Sequence, residues 1–319
     1  MESELSNSSY HQLYFNLMKK VSVIIPFYSH LDWLYEAVES VFAQTYQNYE
    51  VILVSDGSKE DMTGFLNKYG DRITYLYQEN AGPAAARNNG MRHASGDYMA
   101  FLDSDDVWLP TKLEKQVSFM EASGAMWSHT GFFYWTPEEE SLQKVENSFN
   151  YGWVHEQCAI HFSIATPSVM INRIALTEHP NIKFPENYRI GEDSSVYRML
   201  SLYYPLGFVE EPLLKVRLRG SNAGRQAMVR LKFSDQMNQK RIAGEEGFDV
   251  SDRQIAAMLK YNSWGYKAIS SLKISDNLKE LLAKTYWLPA FIFERLYSKK
   301  FHSKTEEEER YILRNSLTL

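Results

Sequence analysis

Tyr98-Met99-Ala100-Phe101-Leu102 is an apolar run that leads directly into the acidic turn Asp103-Ser104-Asp105-Asp106. The run has the length and composition of a buried strand. Alternate acids on an extended turn can point at one cation, and carboxylate oxygens suit Mg²⁺ or Mn²⁺. The turn therefore predicts a divalent-metal site. The alternative is that Asp106 caps a helix that begins near Pro110.

Strand patterns alternate with helical periods on the N-terminal side of this turn. Strands are predicted at 21–26, 49–54, 73–77 and 98–102, and helices at 31–44, 61–69 and 83–94. This alternation predicts an α/β protein with a mostly parallel, Rossmann-like sheet flanked by helices. Ligands of such sheets bind beyond the carboxyl ends of the strands, where both Asp56 and Asp103 fall.

Three further positions are candidates for chemistry. Asp56 would accept a hydrogen bond from a nucleotide base, or serve as a turn residue or helix cap. Arg87 would contact a diphosphate or orient Asp103, or simply lie on the surface. Glu192-Asp193 precedes a helical period, where a carboxylate can act as general base for an acceptor hydroxyl or can complement the helix dipole.

The composition argues against several classes of protein. The chain has 319 residues, 34 basic and 40 acidic, and its net charge of −6 is not that of a nucleic-acid binder. Cys158 is the only cysteine, so neither an intramolecular disulfide nor a cysteine-rich zinc site can form. No Gly-x-Gly-x-x-Gly follows the first strand, and no P-loop or Gly-x-Ser-x-Gly motif is present. A reducing, cytoplasmic location fits this composition.

Neither a signal peptide nor a membrane span is expected. Residues 1–20 form a polar lead-in without a basic start and apolar run, and translation could begin at Met18. No apolar run reaches the roughly 18 residues that cross a bilayer. The nearest segment, 281–297, contains Lys284, Glu294 and Arg295. We expect it to pack on the rest of the protein or to contact the inner face of a membrane peripherally.

Five motifs occur in an order that resembles one known family. They are Val21-Ser22-Val23-Ile24-Ile25-Pro26-Phe27-Tyr28, Ser40-Val41-Phe42-Ala43-Gln44-Thr45, Val54-Ser55-Asp56-Gly57-Ser58, Asn80-Ala81-Gly82-Pro83-Ala84-Ala85-Ala86-Arg87-Asn88 and Gly96-Asp97-Tyr98-Met99-Ala100-Phe101-Leu102-Asp103-Ser104-Asp105-Asp106. Together they are similar to the family 2 glycosyltransferases of the GT-A fold. The resemblance covers roughly residues 21–221. Each motif alone is unspecific, but the ordered set is highly specific.

The resemblance implies an inverting transfer of a sugar from a UDP-, GDP- or dTDP-sugar to a glycan or lipid-linked acceptor. The implied cofactor is a divalent metal, Mn²⁺ or Mg²⁺. By the same resemblance Asp193 is the catalytic base, and Asp105 and Asp103 hold the metal. The implied donor-binding residues are Pro26, Tyr28, Asp56, Arg87, Asp103 and Ser104.

Two positions depart from the family pattern. Ser55 stands where the family often has the first Asp of Asp-Asp-Gly-Ser. Because Asp56 is kept, this difference would at most weaken the binding of the nucleotide base. Arg217 and Arg219 lie near the place of a frequent histidine. An arginine can grip a diphosphate but cannot ligate a metal. The metal would then have fewer protein ligands and more contacts from the donor.

The chain divides into three predicted regions. A polar lead-in occupies 1–20, a GT-A domain 21–222 and a helical C-terminal region 223–319. Within the GT-A domain, 21–125 would bind the nucleotide sugar and 126–222 the acceptor.

Two other functions compete with this one. The first is a non-catalytic scaffold that binds nucleotide sugars, against which the retention of Asp103, Asp105 and Asp193 argues. The second is a nucleotidyltransferase that makes the activated sugar. That class usually has a glycine-rich, lysine-containing loop after its first strand, and Pro26-Phe27-Tyr28-Ser29 is not such a loop.

Overall fold

The computed structural model describes residues 18–145, 150–159, 164–188, 191–219, 227–245, 248–300 and 310–313, without the side chains of 290, 291 and 293–300. The strands are β1 (Val21–Phe27), β2 (Tyr49–Asp56), β3 (Thr74–Gln78), β4 (Tyr98–Phe101), β5 (Val107–Trp108), β6 (Trp127–Thr136), β7 (Ser141–Lys144), β8 (Met170–Asn172), β9 (Leu206–Arg217) and β10 (Ile312–Leu313). The α-helices are α1 (Leu31–Phe42), α2 (Thr63–Tyr69), α3 (Pro83–His93), α4 (Lys112–Ser123), α5 (Arg173–Glu178), α6 (Glu192–Tyr203), α7 (Ala227–Ala243), α8 (Arg253–Ser270) and α9 (Asp276–Lys300). Of the predicted lead-in, residues 1–17 lie outside the described residues.

One sheet runs through the protein in the order β10-β9-β6-β8-β4-β1-β2-β3. Its N-terminal half is parallel, since β1 pairs in parallel with β2 and β4, and β2 with β3. Beyond β4 the sheet is mixed, because β8 runs antiparallel to both β4 and β6, whereas β6 and β9 are parallel. The prediction of an α/β protein with helices around a mostly parallel sheet is confirmed.

Helices cover both faces of the parallel half because alternate residues of β1 point to opposite sides. Val23 and Ile25 pack on one face with Val38 of α1. Ile24 packs on the other with Ala86 of α3. There Gly90 allows close packing, since a Cβ at this position would lie 2.4 Å from Cγ2 of Ile24. Burial on both sides explains the continuous apolar runs of these strands.

The ends of two segments differ from the predicted ones. Asp56 is the last residue of β2, not part of a turn, because β3 continues alongside and pairs Gln78 with Asp56. The alternative role of Asp106 as a helix cap is wrong. Helix α4 begins at Lys112 without a side-chain cap, and Asp106 accepts a hydrogen bond from the backbone nitrogen of Arg217 at 2.8 Å. Its carboxylate therefore ties the acidic turn to β9.

The C-terminal helices form a small core of their own. Ala283 and Trp287 of α9 are buried together with Leu231 of α7 and Ile269 of α8. The described part of 281–297 therefore packs on α7 and α8, and the side chains of 293–297 lie outside the described residues. Among the described helices, none is long and apolar enough to cross a membrane.

Candidate active site

Residues from three separate segments meet at one edge of the sheet. Because β1, β2 and β4 are parallel, their carboxyl ends lie at the same edge. Pro26, half-buried, is near the end of β1, and Tyr28 follows that strand with an exposed ring. The acidic turn follows β4, and within it Ser104 is half-buried between its two acidic neighbours.

Asp56 holds the loop that precedes α3. Its carboxylate accepts hydrogen bonds from Nε2 of Gln78 at 2.8 Å and from the backbone nitrogens of Ala81 and Gly82, each at 2.9 Å. Asp56 is buried, so these three donors compensate the cost of removing the carboxylate from water. The structure thus gives Asp56 a loop-anchoring role, and its contact with a nucleotide base stays a prediction.

Arg87 links the acidic turn to helix α6. Its Nη2 donates to Oδ1 of Asp103 at 2.7 Å, and its Nη1 donates to Oε1 of Glu192 at 3.1 Å. The guanidinium is buried, and both carboxylates are at least partly shielded from water. Of the roles predicted for Arg87, orientation of Asp103 is the one that this geometry favours. Its contact with a diphosphate stays a prediction.

Burial and charge act in opposite directions on this cluster. Burial alone would lower the pKa of Arg87, but the charges of Asp103 and Glu192 outweigh burial and raise it. Burial, together with the charge of Asp193, raises the pKa of Glu192, and Arg87 counteracts both. The arginine is therefore the charge that allows several acids to lie close together.

Asp193 lies in the first turn of α6, next to this cluster. Its Oδ1 accepts from the backbone nitrogen of Ser194 at 2.6 Å, and its Oδ2 accepts from Oγ1 of Thr166 at 3.1 Å. The Ser194 amide is among those that a helix start leaves without an intrahelical partner, so Asp193 supports the helix. The carboxylate remains half-buried rather than enclosed. This geometry is compatible with both roles predicted for Asp193.

The two arginines at the end of β9 and just beyond it contact the acidic turn. Arg219 pairs with Oδ2 of Asp105 at 2.7 Å, and Nε of Arg217 donates to the backbone oxygen of Asp105 at 2.9 Å. Burial, reinforced by the charge of Asp103, raises the pKa of Asp105. Arg217 and Arg219 thus offset negative charge at the turn.

Several contacts at the site were not predicted from the sequence. Glu36 of α1 forms an ion pair with Nη2 of Arg217 at 2.7 Å. The guanidinium carbon of Arg217 also lies 5.1 Å from the ring centroid of Trp33 and 4.4 Å from that of Trp135. These contacts join residues that are between 82 and 184 positions apart in the chain. No local motif marks them, so only the acidic spacing of the turn and the unusual arginines pointed to this region.

Helix α7 touches the residue that starts helix α6. Gly191 has φ 79°, and a Cβ at this position would lie 2.7 Å from Cδ2 of Phe233. The C-terminal helices therefore pack against the beginning of the helix that carries Asp193.

Gly191→Ala is expected to lower the free energy of unfolding by about 2–4 kcal/mol, because it combines a left-handed backbone with overpacking. Gly244→Ala is the matched control. Gly244 has φ 68°, and no described atom lies within 4 Å of the position of its Cβ. The free energy of unfolding of the Gly244→Ala variant should fall by only about 1–2 kcal/mol. Denaturant unfolding of both variants measures the difference, and equal losses would contradict the Phe233 contact.

The sequence of the chain matches those of known proteins. Residues 22–176 match the family model described as glycosyl transferase family 2. An uncharacterized glycosyltransferase of Rickettsia bellii is 42% identical over 205 residues, which are 64% of this chain and 29% of that protein. The chain thus spans less than a third of this relative's length. An uncharacterized glycosyltransferase of Haemophilus influenzae is 35% identical over 170 residues, 52% of this chain and 68% of that protein.

One relative has a named activity. It is the UDP-Glc:alpha-D-GlcNAc-diphosphoundecaprenol beta-1,3-glucosyltransferase WfaP of Escherichia coli. It is 36% identical over 173 residues, which are 53% of this chain and 65% of that protein.

Solved structures share the fold at low sequence identity. S. aureus TarS 1-349 in complex with UDP-GlcNAc has a TM-score of 0.60 and 16% identity, covering 92% of this chain and 89% of that one. Mannosyltransferase PcManGT from Pyrobaculum calidifontis, in complex with GDP-Man and Mn²⁺, has a TM-score of 0.54 and 16% identity, covering 90% of this chain and 85% of that one. At these identities the likeness shows the fold.

The chain belongs to glycosyltransferase family 2. The predictions of this family and of its GT-A fold are confirmed.

Proposed function

We propose that this protein transfers a sugar from a nucleotide-diphosphate donor to a hydroxyl group of a glycan or lipid-linked acceptor. The observation that carries the proposal is the bridge formed by Arg87, which joins Asp103 of the acidic turn to Glu192 of α6. The segment proposed to hold the donor and the helix proposed to carry the base thus meet in one site. The division into a donor half at 21–125 and an acceptor half at 126–222 belongs to the same proposal.

The names of similar proteins support this substrate class. TarS and PcManGT are described in complex with UDP-GlcNAc and GDP-Man, and the Escherichia coli relative uses a diphosphoundecaprenol-linked acceptor. We therefore propose a UDP-, GDP- or dTDP-sugar as donor, with Pro26, Tyr28, Asp56 and Ser104 at its binding site.

The proposed chemistry is a single displacement. An acceptor hydroxyl is a poor nucleophile until its proton is removed, and Asp193 is proposed to take that proton as the oxygen attacks the anomeric carbon. The bond from that carbon to the diphosphate breaks in the same step, and the diphosphate leaves with its electron pair. One displacement of this kind inverts the configuration.

The acidic turn fits a divalent metal only in part. Asp103 and Asp105 are hard oxygen ligands, and burial together with the charge of Asp103 raises the pKa of Asp105. In the described part of the chain, no three His, Cys, Asp or Glu side chains could hold a metal ion together. We propose that these two aspartates bind Mn²⁺ or Mg²⁺, with the remaining ligands from the donor diphosphate. When bound, the metal would stabilise negative charge on the leaving group.

Removal of divalent metal is expected to abolish donor turnover, and Mn²⁺ or Mg²⁺ should restore it. Asp105→Ala should lose donor binding in metal-containing buffer, as measured by calorimetry with the nucleotide sugar. Asp71→Ala is the control, since Asp71 is exposed on a short 3₁₀ turn away from the acidic turn. Full turnover in a rigorously chelated sample would overturn the metal proposal.

A panel of donors tests the function itself. The full chain is incubated with UDP-, GDP- and dTDP-sugars and Mn²⁺, and both binding and nucleotide release are measured for each. We expect binding and release with one nucleotide class. Binding without release, even when lipid-linked and glycan acceptors are added, would favour the scaffold. Absence of any binding would contradict both functions.

A further inference from the structure

Helices α8 and α9 expose large apolar side chains that the active site does not use. Trp264 on α8 is 66% exposed and Leu281 on α9 is 59% exposed. Leu288 and Ile292 are also exposed, and they follow Leu281 at spacings of seven and eleven residues. Such spacings place the three residues on one side of a helix. With Trp264, Lys260 and Lys284 they are here named the α8–α9 face.

Aromatic side chains hold α8 and α9 side by side. The ring of Tyr261 on α8 stacks on that of Tyr286 on α9 at 4.4 Å, and the ring of Trp264 lies 6.3 Å from Tyr286. Gly265 permits this close approach, because a Cβ there would lie 2.1 Å from Cε1 of Tyr286. Trp264 therefore lies beside Tyr286 of α9.

The same helices are basic in an acidic protein. Residues 253–300 contain nine Lys and Arg and only three Asp and Glu, whereas the whole chain has 34 and 40. One of those acids, Glu280, is engaged by the backbone nitrogens of Ala227 and Met228 at the start of α7. On α8, Lys260 lies four residues before Trp264, and on α9, Lys284 lies between Leu281 and Leu288. Both lysines are exposed.

We propose that the α8–α9 face binds the surface of an anionic lipid bilayer. Apolar side chains flanked by lysines are the pattern of helices that lie in the headgroup region, where each lysine gains from anionic lipid. A second copy of this chain would bring two basic faces together, which repel. Anionic lipid supplies the opposite charge. The inference goes beyond the proposed function, under which a lipid-linked acceptor would lie at such a surface.

Co-sedimentation with vesicles tests the proposal. We expect the full chain to bind vesicles of equal parts phosphatidylglycerol and phosphatidylcholine, and to bind pure phosphatidylcholine vesicles far more weakly. Lys260→Gln combined with Lys284→Gln should weaken binding to the anionic vesicles roughly 30-fold, since each lysine near the surface contributes about fivefold. Leu281→Ser combined with Leu288→Ser should weaken binding by about tenfold or more.

Leu142→Ser is the matched control, because Leu142 is 49% exposed on β7, at a distance in sequence from the face. It should bind anionic vesicles like the unmodified chain. Equal binding to both kinds of vesicle, or no loss in the leucine and lysine variants, would overturn the proposal. Self-association that the leucine variant abolishes, without vesicle binding by the unmodified chain, would instead assign the face to a second copy. Nucleotide release measured without vesicles should be the same in all variants. If the unmodified chain releases no nucleotide, the proposed function fails, and the result for vesicle binding is unaffected.

Discussion

Replacing Asp193 by asparagine is expected to lower acceptor-dependent turnover about 10²–10⁴-fold, the usual contribution of a general base. Asparagine keeps the size of the side chain and an oxygen that can accept from the Ser194 amide. The Thr166 hydroxyl can reverse its hydrogen bond and accept from the new amide group. The fold and the affinity for the donor should therefore change little, while the proton can no longer be taken.

The control for this prediction is Asp252→Asn. Asp252 caps helix α8, and its carboxylate accepts from the backbone nitrogens of Gln254 and Ile255. Because asparagine caps a helix about as well as aspartate, this variant should keep both stability and turnover. Donor affinity and turnover are measured on both proteins. Near-normal turnover of the Asp193 variant would remove this residue from the mechanism and leave it only its role at the start of α6.

Arg87→Met is expected to cause the largest loss of stability, about 3–5 kcal/mol, because it leaves the carboxylates of Asp103 and Glu192 without their shared buried cation. Turnover should fall by at least about 10²-fold, since the bridge that holds the acidic turn beside α6 is lost. Thermal or denaturant unfolding and nucleotide release measure the two effects.

Two variants make the Arg87 prediction specific. Arg92→Met removes an exposed arginine from the same helix, and should change stability by no more than about 0.5 kcal/mol. Arg87→Lys keeps the charge but loses the planar guanidinium that reaches two carboxylates. Its stability and turnover should therefore lie between those of Arg87→Met and those of the unmodified chain. If Arg87→Met matched Arg92→Met in stability and turnover, the bridge would not contribute to the site.

The parallel half of the fold was predictable because its signals are local. β1 and β4 are buried on both faces, so their sequences are continuous apolar runs, and short helices with apolar periods separate the strands. The boundaries were less certain. Asp56 belongs to β2 because β3 pairs with it. Where a neighbouring strand decides the end of a strand, the residues of the strand itself do not indicate that end.

The candidate site was predictable in its residue types and only partly in its contacts. The acidic turn and the Glu192-Asp193 pair stood out by their spacing and their place after a strand or before a helix. Arg87 was a candidate with several roles, and the structure favours the bridge between two acids. The interactions of Arg217 with Glu36 and Trp33 had no local signal at all.

The sequence by itself thus determined the order of strands and helices in the parallel half, the family, and the acids proposed for metal and base chemistry. Periodicity, strand-end position and motif spacing are all properties of short segments of chain. Only the tertiary structure decided which charges compensate one another, because that depends on segments about 100 residues apart meeting at one edge of the sheet. It also decided that Phe233 of α7 lies against Gly191, where a side chain and a backbone from distant segments fill the same small volume. Burial strengthens these interactions. A buried charge needs an opposite charge or a hydrogen bond beside it, and a closely packed group needs a neighbour of matching shape.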